Sequence, residues 1–153
     1  MKKYVVARAQ DVPAGSSISV EVRGRAYGIF NVDGTFHALL DRCPHQGAAL
    51  SRGSCVAEIE SATPGEYRFG ISRTLVMCPW HGWEFDIATG QSWFDAARTR
   101  ALSVDVTVEC GQDLIARLAD AQPSDSGRLP GPYVAEVHEV HQEDDYLVLV
   151  LPR

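Results

Sequence analysis

An all-β fold of antiparallel sheets is expected from three features of this 153-residue chain. Short runs alternate apolar and polar residues, the period of a strand with one buried face. An Asp-Gly pair, Asp33-Gly34, separates two such runs, which is a strong short-range hairpin signal. Helical periodicity is weak throughout.

Taken in order, residues 17–22 alternate cleanly and read as the first strand. Residues 26–32 and 35–40 flank Asp33-Gly34 as a hairpin. Residues 55–60 and 66–71 form a second hairpin about the turn signal Pro64-Gly65-Glu66. Residues 101–108 place Leu102, Val104, Val106 and Val108 on one face. Residues 113–120 allow one or two helical turns, and 121–131 form a Pro/Ser/Gly loop. Residues 133–140 and 146–151 read as a closing hairpin around Glu143-Asp144-Asp145.

Composition sets the bounds. The chain is 45% hydrophobic, enough for a packed core, and its length suits one domain. No run reaches the ~20 apolar residues of a membrane helix. The apolar stretch at residues 4–7 is too short for a signal peptide. A cytoplasmic protein with reduced thiols is therefore expected. With 14 Lys+Arg against 20 Asp+Glu, the net charge is −6, and no basic block invites nucleic acid.

The chemistry is concentrated in two boxes, Cys43-Pro44-His45-Gln46-Gly47 and Cys78-Pro79-Trp80-His81-Gly82-Trp83. Each supplies one thiol and one imidazole, as C-x-H and as C-x-x-H. Such close spacing, flanked by Pro and Gly, fits a tight loop better than a helix face. A structural zinc ion also takes two Cys and two His in a tetrahedron. Common zinc fingers, however, pair Cys with Cys and His with His, whereas each box here mixes the two. The other candidates are weaker. Cys55 and Cys110 fit no ligand spacing and are expected as buried free thiols. His37 reads as a surface or half-buried side chain. His138 and His141 lie three apart on an expected strand, hence on opposite faces.

The boxes resemble those of Rieske-type [2Fe–2S] ferredoxins and of the Rieske domains of non-haem iron oxygenases. The resemblance implies a single Rieske domain over 1–153, with stacked antiparallel sheets. A cluster-binding part, about 42–98, would be inserted into a base formed by about 1–41 and 99–153. It implies that Cys43 and Cys78 hold one iron of a [2Fe–2S] cluster, one per chain, while His45 and His81 hold the other. Gly47 and Gly82 would let backbone N–H groups approach the cluster sulfurs, and Trp80 and Trp83 would shield the cluster. Pro130 and Pro132, in Leu129-Pro130-Gly131-Pro132, would belong to a loop covering it.

Rieske proteins of cytochrome bc complexes carry two further cysteines that form a disulfide. The matching positions here are Ala48 and Trp80. The positions of the hydroxyl donors in high-potential members correspond to Trp83 and Phe85. With those donors missing, the potential is expected near the low end of the Rieske range, about −150 mV. The pattern resembles the oxygenase-associated group, with one departure: 32 residues (46 to 77) separate His45 from Cys78. The second hairpin would account for that excess, as an added element.

The resemblance implies a one-electron carrier and not an enzyme. It would be the ferredoxin component between a flavin-dependent reductase and a terminal aromatic-ring oxygenase. Oxygenase catalytic subunits add a 2-His-1-carboxylate iron site. Only three His remain outside the boxes, and no G-x-G-x-x-G fingerprint is present. The alternatives are the Rieske subunit of an oxygenase or of a nitrite-reductase-like complex, and a zinc-stabilised interaction module.

Overall fold

Nine strands and one helix make up the described part of the chain, which in this computed structural model comprises residues 2–92, 98–119 and 145–152. Six strands form one antiparallel sheet: β1 (Lys2–Arg8), β2 (Ser17–Val22), β3 (Arg25–Val32), β4 (Thr35–Leu40), β8 (Ser103–Cys110) and β9 (Asp145–Leu151). Their order across the sheet is β1-β9-β8-β4-β3-β2. A second sheet contains β5 (Ser54–Glu60), β6 (Arg68–Met77) and β7 (Glu84–Asp86), in that order. The helix α1 (Gly111–Ala119) follows β8 directly.

The β3–β4 hairpin forms as its Asp-Gly pair predicts. Val32 faces Thr35, and Asp33 and Gly34 both take positive φ, the two-residue turn whose twist matches the strands. The β2–β3 connection is built the same way from Arg23 and Gly24, with Val22 facing Arg25.

Strand periodicity explains how the two sheets meet. Along β3, Tyr27 and Ile29 enter one core with Val12, Val22, Ala38, Leu147, Leu149 and Leu151. Phe30, on the opposite face, enters a second core with Leu39, Leu50, Val76, Phe85, Ile87, Ala101, Cys43 and Cys78. β4 divides in the same way, with Ala38 on one side and Leu39 on the other. The middle of the large sheet is therefore buried on both faces, and its second face carries the three-stranded sheet and both boxes. Buried Asn31 ties in the segment before β2: its Nδ2 donates to the Val12 carbonyl at 2.6 Å, and its Oδ1 accepts from the Gly34 N–H at 2.8 Å.

Three expectations require correction. The second hairpin is longer than residues 55–71: β6 runs to Met77, immediately before Cys78, because the buried apolar residues Leu75 and Val76 continue the strand and Val76 enters the second core. It is thus an element that carries the second box as well as an addition. Its ladder has two parts, Ser54–Ala57 against Thr74–Met77 and Ile59–Glu60 against Arg68–Phe69, joined by an irregularity. The distal part holds Ile59, Tyr67 and Phe69 in solvent. Cys55 and Cys110 are free but exposed, not buried; thiol hydrophobicity does not say which face of a strand a residue takes. The helix begins at Gly111, ahead of the expected 113. The 121–131 loop, the 133–140 strand, His138, His141, Pro130 and Pro132 lie outside the described residues.

His37, on β4, is half-buried and shares a cavity of about 270 Å³ with Asp33, Arg73 and Asp86. Burial lowers its pKa below the ordinary 6.5, against the opposing pull of the Asp86 charge. The unfolded chain thus binds this proton more readily. Its contribution to stability is complete above the unfolded pKa and is lost as pH falls through the folded one. His37→Gln is expected to reduce the drop in melting temperature between about pH 7.5 and about pH 5. Parallel profiles for the variant and the parent would remove His37 from the acid response.

Candidate metal centre

The two boxes fold as near copies of each other. In the first, the Cys43 N–H donates to the Ala48 carbonyl at 2.7 Å, and the Gly47 N–H returns to the Cys43 carbonyl at 2.8 Å. In the second, the Cys78 N–H donates to the Trp83 carbonyl at 2.7 Å, and the Gly82 N–H returns to the Cys78 carbonyl at 3.0 Å. Both glycines sit at positive φ, +88° and +70°, where a side chain would strain the turn. Their own N–H groups close the loops. The backbone N–H groups of His45 and Gln46 are the ones that approach the Cys43 sulfur.

Different elements hold each loop. The second box is the connection between β6 and β7, whose last and first residues, Met77 and Glu84, pair directly. The first box follows β4 and ends at a single 3-10 turn, Leu50–Arg52. Asp41 clamps its two ends. Its carboxylate accepts hydrogen bonds from the Ser51 N–H, the Ser51 hydroxyl and the Ser19 hydroxyl, each at 2.7 Å. The motif reading missed this residue. Its only signal was an acidic side chain beside the box, which alone does not distinguish a clamp from a surface charge.

The donors separate by depth. Cys43 and Cys78 are each only 2% exposed and lie together within the second core. Burial pushes the Cys43 thiol up, and the adjacent Cys78 adds to this, while the N–H groups of His45 and Gln46 act in the opposite direction. His45 and His81 are exposed at the loop tips, their rings in edge contact at 4.8 Å and 74°. Trp83 stacks on His45 at 4.4 Å and 7°, and its other side packs on the core. Trp80, expected as a shield, is 62% exposed and points an edge at His81 across 6.5 Å.

Among the described residues, no three His, Cys, Asp or Glu side chains are placed to hold one metal ion. The four donors instead form an inner thiol pair and an outer imidazole pair, with one member of each from either loop. That donor set fits a cluster of two irons with unlike ligands.

The model of the Rieske [2Fe-2S] domain family matches residues 2–103, which include both boxes. The chain belongs to this family. Among curated relatives, the 3-phenylpropionate/cinnamic acid dioxygenase ferredoxin subunits of Shigella boydii serotype 4 (strain Sb227) and Escherichia coli (strain K12) are each 30% identical over 123 residues, covering 80% of this chain and all of the relative. Among solved structures, the Sphingomonas yanoikuyae B1 ferredoxin superposes with a TM-score of 0.53 at 27% identity, over 71% of this chain and 91% of that one. A putative NADH-dependent nitrite reductase small subunit from Mycobacterium tuberculosis shares the fold at 15% identity, with a TM-score of 0.59 over 99% of this chain and 97% of that one. The Rieske assignment and the antiparallel architecture agree with the expectations from sequence. No helix among the described residues is long and apolar enough to cross a membrane.

Proposed function

We propose that this Rieske protein is a one-electron carrier, the ferredoxin component between a flavin-dependent reductase and a non-haem iron oxygenase acting on aromatic rings. The observation that carries the reading is the paired arrangement of buried thiols and exposed imidazoles on two matched loops. Cys43 and Cys78 would hold one iron of a [2Fe–2S] cluster, and His45 and His81 the other. The three-stranded sheet and both loops, within about 42–98, would form the cluster-binding part. When bound, the cluster supplies reversible one-electron chemistry at a potential set by its mixed ligands.

The protein's own residues do the rest. The buried thiols must lose their protons to become ligands, and the His45 and Gln46 N–H groups favour the thiolate at Cys43. Phe30, Leu39 and Phe85 keep water from the cysteine side. Trp83 fixes the plane of the His45 ring. The exposed imidazole edges give a partner its shortest approach. The dioxygenase ferredoxin subunits among the relatives favour an oxygenase as the electron acceptor.

The deciding experiment is EPR of the dithionite-reduced protein, purified without oxygen, alongside iron and acid-labile sulfide assays. A Rieske signal with two irons and two sulfides per chain is the expected result. A colourless, EPR-silent protein holding one zinc ion would replace the carrier with a structural module.

A further inference from the structure

Beside the first box lies a cleft of about 680 Å³, lined by Gly24, Arg25, Ala26, Leu40, Asp41, Arg42, Gln46 and Gly47. It joins the β2–β3 turn to the loop that carries His45. Two arginines, Arg25 and Arg42, line it in a chain of net charge −6. Among the described residues, neither guanidinium has a hydrogen-bond or ion-pair partner. Arg8 pairs with Asp11, Arg23 reaches the Pro152 carbonyl, and Arg100 donates to the Thr89 carbonyl, while Arg52 and Arg68, outside the cleft, have no such partner among the described residues. Arg42 lies across the bare face of Gly47, where a Cβ would come within 3.4 Å of its Nε. The acidic residue in the lining, Asp41, is 7% exposed and its oxygens are already committed to Ser19 and Ser51.

We propose that this cleft receives a carboxylate side chain of the protein that exchanges electrons at the histidine tip. The inference rests on the carrier reading above and adds a docking contact to it. A planar guanidinium matches a carboxylate in two parallel hydrogen bonds, so two unpaired ones flanking a cleft suit that group. Gln46 and Gly47 line the cleft and adjoin His45, so a carboxylate seated there would bring its carrier to the tip. An acidic chain repels acidic partners at long range, and a local basic cleft reverses this at one place, which fixes orientation more than affinity.

The test uses the cluster-loaded protein and a hexaglutamate peptide as the acidic probe, followed by calorimetry at low ionic strength. Binding is expected to weaken about tenfold or more in Arg25→Gln/Arg42→Gln, since truncating one side of a charge pair strands the other. The charge-matched control Lys2→Gln/Arg68→Gln should bind as the parent does. Equal binding by both double variants, or no binding by the parent, overturns the cleft while a retained Rieske signal keeps the carrier. Competition by inorganic phosphate as strong as by the peptide also overturns it, since the site then selects no protein carboxylate. Absence of the Rieske signal in the parent overturns the carrier reading and this proposal with it.

Discussion

His45→Ala and His81→Ala are each expected to abolish the Rieske EPR signal while leaving the protein folded. Both imidazoles stand at exposed loop tips, so their removal opens no cavity in either core. The hydrogen bonds that close each loop run through the backbone and do not use the imidazoles. With the proposed ligand set, removing either imidazole would leave one iron with a single protein ligand, and the cluster would be lost. Cys43→Ser and Cys78→Ser should also lose the signal, but with lower stability, because a hydroxyl then replaces a thiol in an apolar core. Far-UV circular dichroism and EPR on the same samples separate the two effects. A Rieske signal surviving in either alanine variant would remove that histidine from the ligand set.

Gly90→Ala should be the most damaging single methyl addition. A Cβ at this position would lie only 2.0 Å from the Ala101 carbonyl oxygen, and Gly90 holds φ at +73°. The backbone cannot retreat freely, because the Gly90 N–H donates to the Asp86 carbonyl at 2.7 Å and the Gly90 carbonyl accepts from Ala101 at 2.9 Å. The strain of the left-handed conformation and the overpacking together cost about 3–5 kcal/mol. For a chain of this size that corresponds to a fall of about 10 °C in melting temperature. Ala101 shares the core of both cysteines, so cluster retention should fall as well. Differential scanning calorimetry of the loaded protein measures the effect, and an unchanged melting temperature would mean that the two segments do not meet as described.

The boxes were legible because ligand chemistry is local: two residue types at fixed spacing suffice to suggest a metal. The Asp33-Gly34 hairpin was legible for a similar reason, since few residue pairs accept two positive φ values. The Arg23-Gly24 turn has the same backbone but lacks the usual residue at its first position. It is held from a distance, by the Arg23 guanidinium over the Tyr4 ring at 5.4 Å and its bond to Pro152. β1 escaped notice because a bulge at Val5–Ala7 breaks its alternation, and β7 because three residues carry no period. The end of β6 was missed because Val76 belongs to a core that exists only once both sheets are in place. The Asp41 clamp unites residues from β2, the end of β4 and the turn after the first box, and no short motif encodes such a meeting.

The repeated ring of two backbone bonds around each cysteine bears on how the two loops can vary. Each loop is framed by peptide groups that bond to one another. Its path is set by the main chain, and the side chains at its tip carry little of that duty. The same frame can therefore present different side chains to a partner without changing its own course.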